Sequence, residues 1–243
     1  MKSFLKICVV ISSILSVLGS VNNNGNTVSD NSDILNFFET MDEKKGTETT
    51  ETEIKLNNTY TTRMRAEWSV SCPTFSFDYS DDWHITQEQL EVNGESDILE
   101  NNRGVKLMYS TFDQGSPFYG GAYYMEYATV TKMADVNFVP GYPEGCATDF
   151  SSLGKMCVAE IKVYAYENGE TDDGQVYIDG ETYYAVVPES YIGETLFKGL
   201  GYYAACSWDY PSSHLFIAEA PKGKFTDKEK EEVIMILSSF REA

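Results

Sequence analysis

The chain has 243 residues, with 38 acidic side chains against 18 basic ones, two histidines and a formal net charge of −20. That balance excludes nucleic-acid binding and attraction to an anionic membrane face, since both need clustered Lys and Arg to displace counterions. A hydrophobic content of 42% is enough to build a core, so the surplus of acid reads as a solubilising surface.

The N-terminus reads as a signal peptide. Lys2 and Lys6 form a positive n-region before the apolar run Ile7 to Leu18, broken only by Ser12, Ser13 and Ser16, and Val17-Leu18-Gly19 supplies small residues for cleavage after Gly19. The run is too short to cross a bilayer as a helix, which takes roughly 20 residues. Ser20 stands where a lipid-anchored protein would carry cysteine. The expected product is a secreted or extracytoplasmic chain that starts at Ser20 and, having lost two lysines, carries a net charge of −22.

Residues 20 to 65 are rich in Asn, Thr, Glu, Ser and Asp and read as a flexible tether. Within it Ile34, Leu35, Phe37, Phe38 and Met41 follow Asp33 at helical spacing. This apolar island suits a short helix that docks on its own domain, closes a sheet edge or binds a partner.

Residues 66 to 243 read as one α+β domain dominated by antiparallel strands. Phe75, Phe77 and Tyr79 alternate with polar residues, as do Val105, Leu107 and Tyr109, and Tyr123 to Met133 extends the pattern. Met156 to Tyr166 and Val176 to Val187 flank the acidic, turn-rich stretch Glu167 to Gly174, which predicts a hairpin. Tyr202 to Trp208 and His214 to Ala220 predict a second one around Asp209-Tyr210-Pro211-Ser212-Ser213. The clearest helix spans 226–240. Thr226 and Glu229 match a capping box, and Val233, Ile236, Leu237 and Phe240 form one apolar face. The irregular stretch Ala134 to Gly154, with its Pro and Gly breakers, leaves room for a short helix near Thr148 to Leu153.

The two ends of this domain resemble a family. Phe75-Ser76-Phe77-Asp78-Tyr79-Ser80-Asp81-Asp82-Trp83 is similar to the opening strand and turn of PsbP-like proteins, and Glu231 to Arg241 resembles their closing helix. The resemblance covers roughly residues 70 to 241 in outline and only the termini in residues. Ser80 departs from it by standing where a proline is common. The resemblance implies an α/β/α sandwich around an antiparallel sheet and a non-enzymatic role in binding or assembly, as in photosystem extrinsic subunits and a Ran-binding nuclear protein. It implies core duty for Phe75, Phe77, Trp83 and Phe240.

After loss of Cys8 with the signal, Cys72, Cys146, Cys157 and Cys206 remain. In an oxidising compartment they suit disulfides, Cys146 with Cys157 and Cys72 with Cys206, or else buried thiols. The sequence carries no G-x-S-x-G, G-x-x-x-x-G-K, G-x-G-x-x-G or H-E-x-x-H motif, so no catalytic residue, cofactor or metal is assigned. His84 and His214 read as surface or capping residues. Glu167, Glu170, Asp172, Asp173, Asp179 and Glu181 invite a calcium loop, but Gly174 is out of register with one, and a solvated hairpin loop accounts for them.

Aromatic residues in turns are the candidate contact site. Phe118 and Tyr119 lie between Gly115-Ser116-Pro117 and Gly120-Gly121, and Trp208 and Tyr210 bracket Asp209. Exposed rings there would contact a protein or glycan partner at the cell envelope. The competing function is a carboxylate-dependent hydrolase acting on envelope glycans, which needs a cleft with two facing carboxylates.

Overall fold

The computed structural model describes residues 53–64, 73–91, 94–112, 123–168, 175–200 and 203–243. The expected signal peptide, the apolar island, Cys72, Phe118, Tyr119 and the acidic residues 169–174 lie outside them. The chain divides into the units Met1–Glu51 and Thr52–Ala243, and the described residues belong to the second.

Twelve strands are found among the described residues: β1 (Asn58–Thr61), β2 (Phe75–Tyr79), β3 (Trp83–Glu91), β4 (Gly94–Asn101), β5 (Lys106–Phe112), β6 (Tyr123–Asp135), β7 (Met156–Asn168), β8 (Gln175–Pro188), β9 (Leu196–Leu200), β10 (Ser207–Asp209), β11 (Ser213–Glu219) and β12 (Arg241–Glu242). The α-helix α1 spans Asp227–Ser238. The protein is thus mainly antiparallel β with one described α-helix near its C-terminus. A three-stranded sheet has the order β1-β2-β12, and a nine-stranded sheet has β3-β4-β5-β11-β8-β7-β6-β9 with β10 paired to β11.

β1 corrects the expected boundary between tether and domain. Asn58 to Thr61 pair with Tyr79 to Ser76, and the hydroxyl of Tyr60 and the backbone around Thr62 are tied into the fold, so the domain begins well before residue 66. The strand Asn-Thr-Tyr-Thr was hidden by its polar composition.

Period-two alternation gives the large sheet two apolar faces. One carries Leu99, Leu107, Tyr109, Met156, Val158, Tyr184, Val186, Phe216 and Ala218. Phe75 and Phe77 of the small sheet pack on it, together with Val233, Ile236, Leu237 and Phe240 from the helical end. Phe75 stacks on Phe240 at 4.7 Å between centroids, and Phe77 meets Phe216 at 4.6 Å. The other face is lined by smaller groups, among them Ala128, Cys157, Ala159, Ile161 and Ala185, with Phe197 and the 3-10 turn Ala204–Cys206.

The helix begins as expected. Thr226 Oγ1 accepts from the Glu229 amide, and the Glu229 carboxylate accepts from the Thr226 amide and hydroxyl. The Arg103 guanidinium, from the β4–β5 turn, also donates to Glu229. Ser80 makes a contact that proline lacks: its hydroxyl donates to Glu232, joining the β2–β3 turn to α1. Near residue 150 the chain forms only a 3-10 turn, Ser151–Leu153.

Candidate functional site

β4 places Glu95, Asp97 and Leu99 on one face, toward the core. Pairing then sets them in rows across the sheet. Glu95 lies opposite Thr111 of β5, Thr111 opposite His214 of β11, and His214 opposite Trp208 of β10. In the next row Asp97 lies opposite Tyr109, and Tyr109 opposite Phe216. Glu95 and Asp97 are 1% and 0% exposed, so two carboxyl groups two residues apart share a dry compartment.

The segment after β1 supplies their partners. The Arg63 amide donates to both Glu95 oxygens at 2.9 Å, and the Met64 amide donates to Oε2 at 2.8 Å. The Arg63 guanidinium lies 3.6 Å from Glu95, 3.5 Å from Asp97 and 3.7 Å from Glu88. The Tyr60 hydroxyl donates to Glu88 at 3.2 Å and also faces Asp97. Burial, reinforced by the hydrogen bond to Glu95 and by its charge, pushes the Asp97 carboxyl far above the usual carboxylate range, while Tyr60 and Arg63 offset this in part. Burial and the neighbouring Asp97 likewise raise the Tyr60 phenol.

His214 is buried rather than a surface or capping residue, which corrects the expectation for it; His84 is exposed. Its Nδ1 lies 2.6 Å from the Ser212 carbonyl. A carbonyl only accepts, so Nδ1 carries the hydrogen and Nε2 keeps its lone pair. Burial lowers the ring to about 4, so it is neutral at physiological pH. A further buried carboxyl, Glu126 of β6, accepts from the Ala205 amide at 2.7 Å and is raised by burial to about 7.

Trp208 and Tyr210 are corrected from turn anchors to core residues, each 3% exposed. β10 pairs with β11, which turns the Trp208 ring inward onto His214 in a stack at 4.8 Å. Tyr210 packs edge-on against Phe138 and Phe150, and its hydroxyl donates to Glu242 at 2.8 Å. Proline and serine flanks signal a turn correctly, yet the turn folds both rings under the sheet. Phe118 and Tyr119 lie outside the described residues. Cys146, Cys157 and Cys206 carry no disulfide in this structure, and Cys72 lies outside the described residues. Of the acidic stretch, Glu181 accepts from the Tyr183 hydroxyl.

A different aromatic face stands open. On β6 and β7 the rings of Tyr127 and Tyr164 lie 6.2 Å apart, and Tyr127 pairs across to Leu196 of β9. Tyr164 is 42% and Leu196 43% exposed, with Ile192 exposed nearby in the chain. Lys162 and Lys198 share the outward alternation of Tyr164 and Leu196. This patch escaped the sequence reading because strand tyrosines look like ordinary sheet cover; no signal marks which ends of β6 and β7 remain open.

A surface depression of 170 Å³ lies between the β2–β3 turn and α1, lined by Asn57, Ser80, Asp81, Lys228 and Glu232 among others. That is below the roughly 300 Å³ at which small-molecule sites begin. Among the described residues no three His, Cys, Asp or Glu groups converge as metal ligands, and no helix is long and apolar enough to cross a membrane. The chain matches no family model, no curated protein and no solved structure.

Proposed function

We propose that the chain is an exported, non-catalytic binding or assembly protein of the cell envelope, built on a PsbP-like architecture, that meets a protein partner through the open face of β6, β7 and β9. The observation that carries this reading is the Tyr127–Tyr164 ring pair beside Leu196, held on paired strands with Tyr164 and Leu196 well exposed. Rigid tyrosines joined to an aliphatic group form the kind of patch that contact surfaces retain. The exposed aliphatic groups Leu196 and Ile192 suit a protein more than a sugar. Among the described strands β9 is also the last of its sheet, and a partner strand can add at such an edge.

Support for the PsbP-like architecture comes from Phe75, Phe77, Trp83 and Phe240, all buried between an antiparallel sheet and its closing helix. The hydrolase reading has weaker support. Its strongest carboxylate pair, Glu95 with Asp97, is closed to substrate, and both Glu95 oxygens are engaged by backbone donors.

Capture from native envelope with the wild type and with a Tyr164→Ser, Leu196→Ser double variant tests the proposal. Interface anchors contribute about 2 kcal/mol or more each, so losing two should weaken binding by roughly several hundred-fold. Melting should stay within a few degrees. Undiminished capture would remove this face from the site, and capture of a glycan in place of a protein would change the partner class.

A further inference from the structure

We propose that Glu95 and Asp97 form a proton-operated clamp that fastens Arg63 and Met64 onto β4 and releases them on the alkaline side. This goes beyond the binding reading and stands without it. The two carboxyl groups are not equivalent. Glu95 receives the amide hydrogens of Arg63 and Met64. Asp97 receives no backbone donor, and neither of its oxygens reaches solvent. It is therefore the member that carries the proton. As a neutral acid it can donate toward Glu95.

The charges around the pair make the proton decisive. Tyr60 faces it from β1, Arg63 from the segment that follows, Glu88 from β3 and Tyr109 from β5, while the neutral His214 stands one strand further on. Arg63 is the one cation among these groups and already serves Glu95 and Glu88. Its contacts with Glu95 and Asp97 are 3.5 to 3.6 Å ion pairs rather than hydrogen bonds, so the backbone bonds to Glu95 are the main hold. Ionising Asp97 would set a second buried carboxylate against Glu95, with three acids on one guanidinium. The cheapest relief is to let the Arg63–Met64 backbone part from β4 and admit water. The Thr62 end stays anchored, because Thr62 exchanges hydrogen bonds with Phe75 through its amide and hydroxyl.

The sign follows from linkage. A carboxyl whose folded pKa is raised contributes stability that is complete below its unfolded value, about 3.9, and is lost as pH rises toward the folded one. The clamp is closed at acidic pH and loosens with alkali.

Amide exchange at Arg63 and Met64 tests this in the full chain between about pH 6 and 9, corrected for intrinsic chemistry, with carbon-13 carboxyl titration of Asp97 alongside. One-proton linkage predicts that protection at both amides falls by up to about tenfold per pH unit as pH rises to the Asp97 midpoint, and levels off above it. Ala159 and Ala185, in β7 and β8, should keep theirs. Asp97→Asn imitates the neutral acid and should make protection at Arg63 and Met64 independent of pH. An equal fall in Asp97→Asn, or a flat profile in the wild type, would overturn the clamp. Should that variant not fold, the wild-type carboxyl titration decides: Asp97 titrating in the ordinary carboxylate range overturns the proposal, and titration above it in step with the two amides supports it.

Discussion

Two regions of one sheet use the same residue types to opposite ends. Under β1 and β2, the strands β4, β5, β10 and β11 bury Glu95, Asp97, Tyr109, Trp208 and His214. On β6, β7 and β9, Tyr164, Leu196 and Lys198 face water. Both regions obey the same alternation, so the pattern along the strand does not separate them. Cover does. A ring or an acid beneath the small sheet meets other groups of the fold rather than water: Trp208 stacks on His214, and Glu95 takes two amides. Tyr164 on the open face is 42% exposed and is available for contact.

The contrast breaks first at its covered end. Phe240 joins α1 to both sheets, stacked on Phe75 and packed against Phe216 and Trp208. Phe240→Ala should cost about 3 to 5 kcal/mol, read as a lower denaturant midpoint with unchanged slope. An unmoved midpoint would show that the helical end is not part of the core. Arg63→Met comes next. Removing the cation leaves Glu95 and Asp97 facing each other in a dry compartment, a type of loss worth about 3 to 5 kcal/mol when fully buried. The guanidinium is partly exposed, so solvent screening brings this to about 2 kcal/mol. The loss should grow as pH rises, because Asp97 keeps its proton at acidic pH. A loss that shrank with rising pH would contradict the placement of that proton. The Tyr164→Ser, Leu196→Ser variant, at the open end, should shift stability least, by about 0.5 kcal/mol per site.

How far the sequence disclosed this arrangement follows from the same contrast. Helix α1 was legible because Thr226 and Glu229 announce its start and Val233, Ile236 and Leu237 mark its buried face. The β7–β8 hairpin was legible from long alternation, and it pairs from Met156 with Pro188 onward. β1, β3 and β4 were not. Asn58-Thr59-Tyr60-Thr61 looks like tether, and Trp83 to Asn101 mixes charges on both faces because β3 is an edge strand and β4 turns two acids inward. An inward acid is decided by a partner distant in the chain. Arg63 lies 32 residues before Glu95 and nothing local links them. Trp208 and Tyr210 failed for the same reason: their turn was evident, but the rings' direction depended on β11 and on Phe138, some 70 residues earlier.

The claim that cover sorts structural rings from contact rings is tested most directly by site-specific photo-crosslinking. A photoreactive phenylalanine analogue would be placed at position 164 of the open face and, as an exposed control, at position 84 on β3, and each protein would be irradiated in the cells that make it. A discrete protein adduct from position 164 and none from position 84 is the expected result. Adducts from neither position, or the same adducts from both, would contradict it.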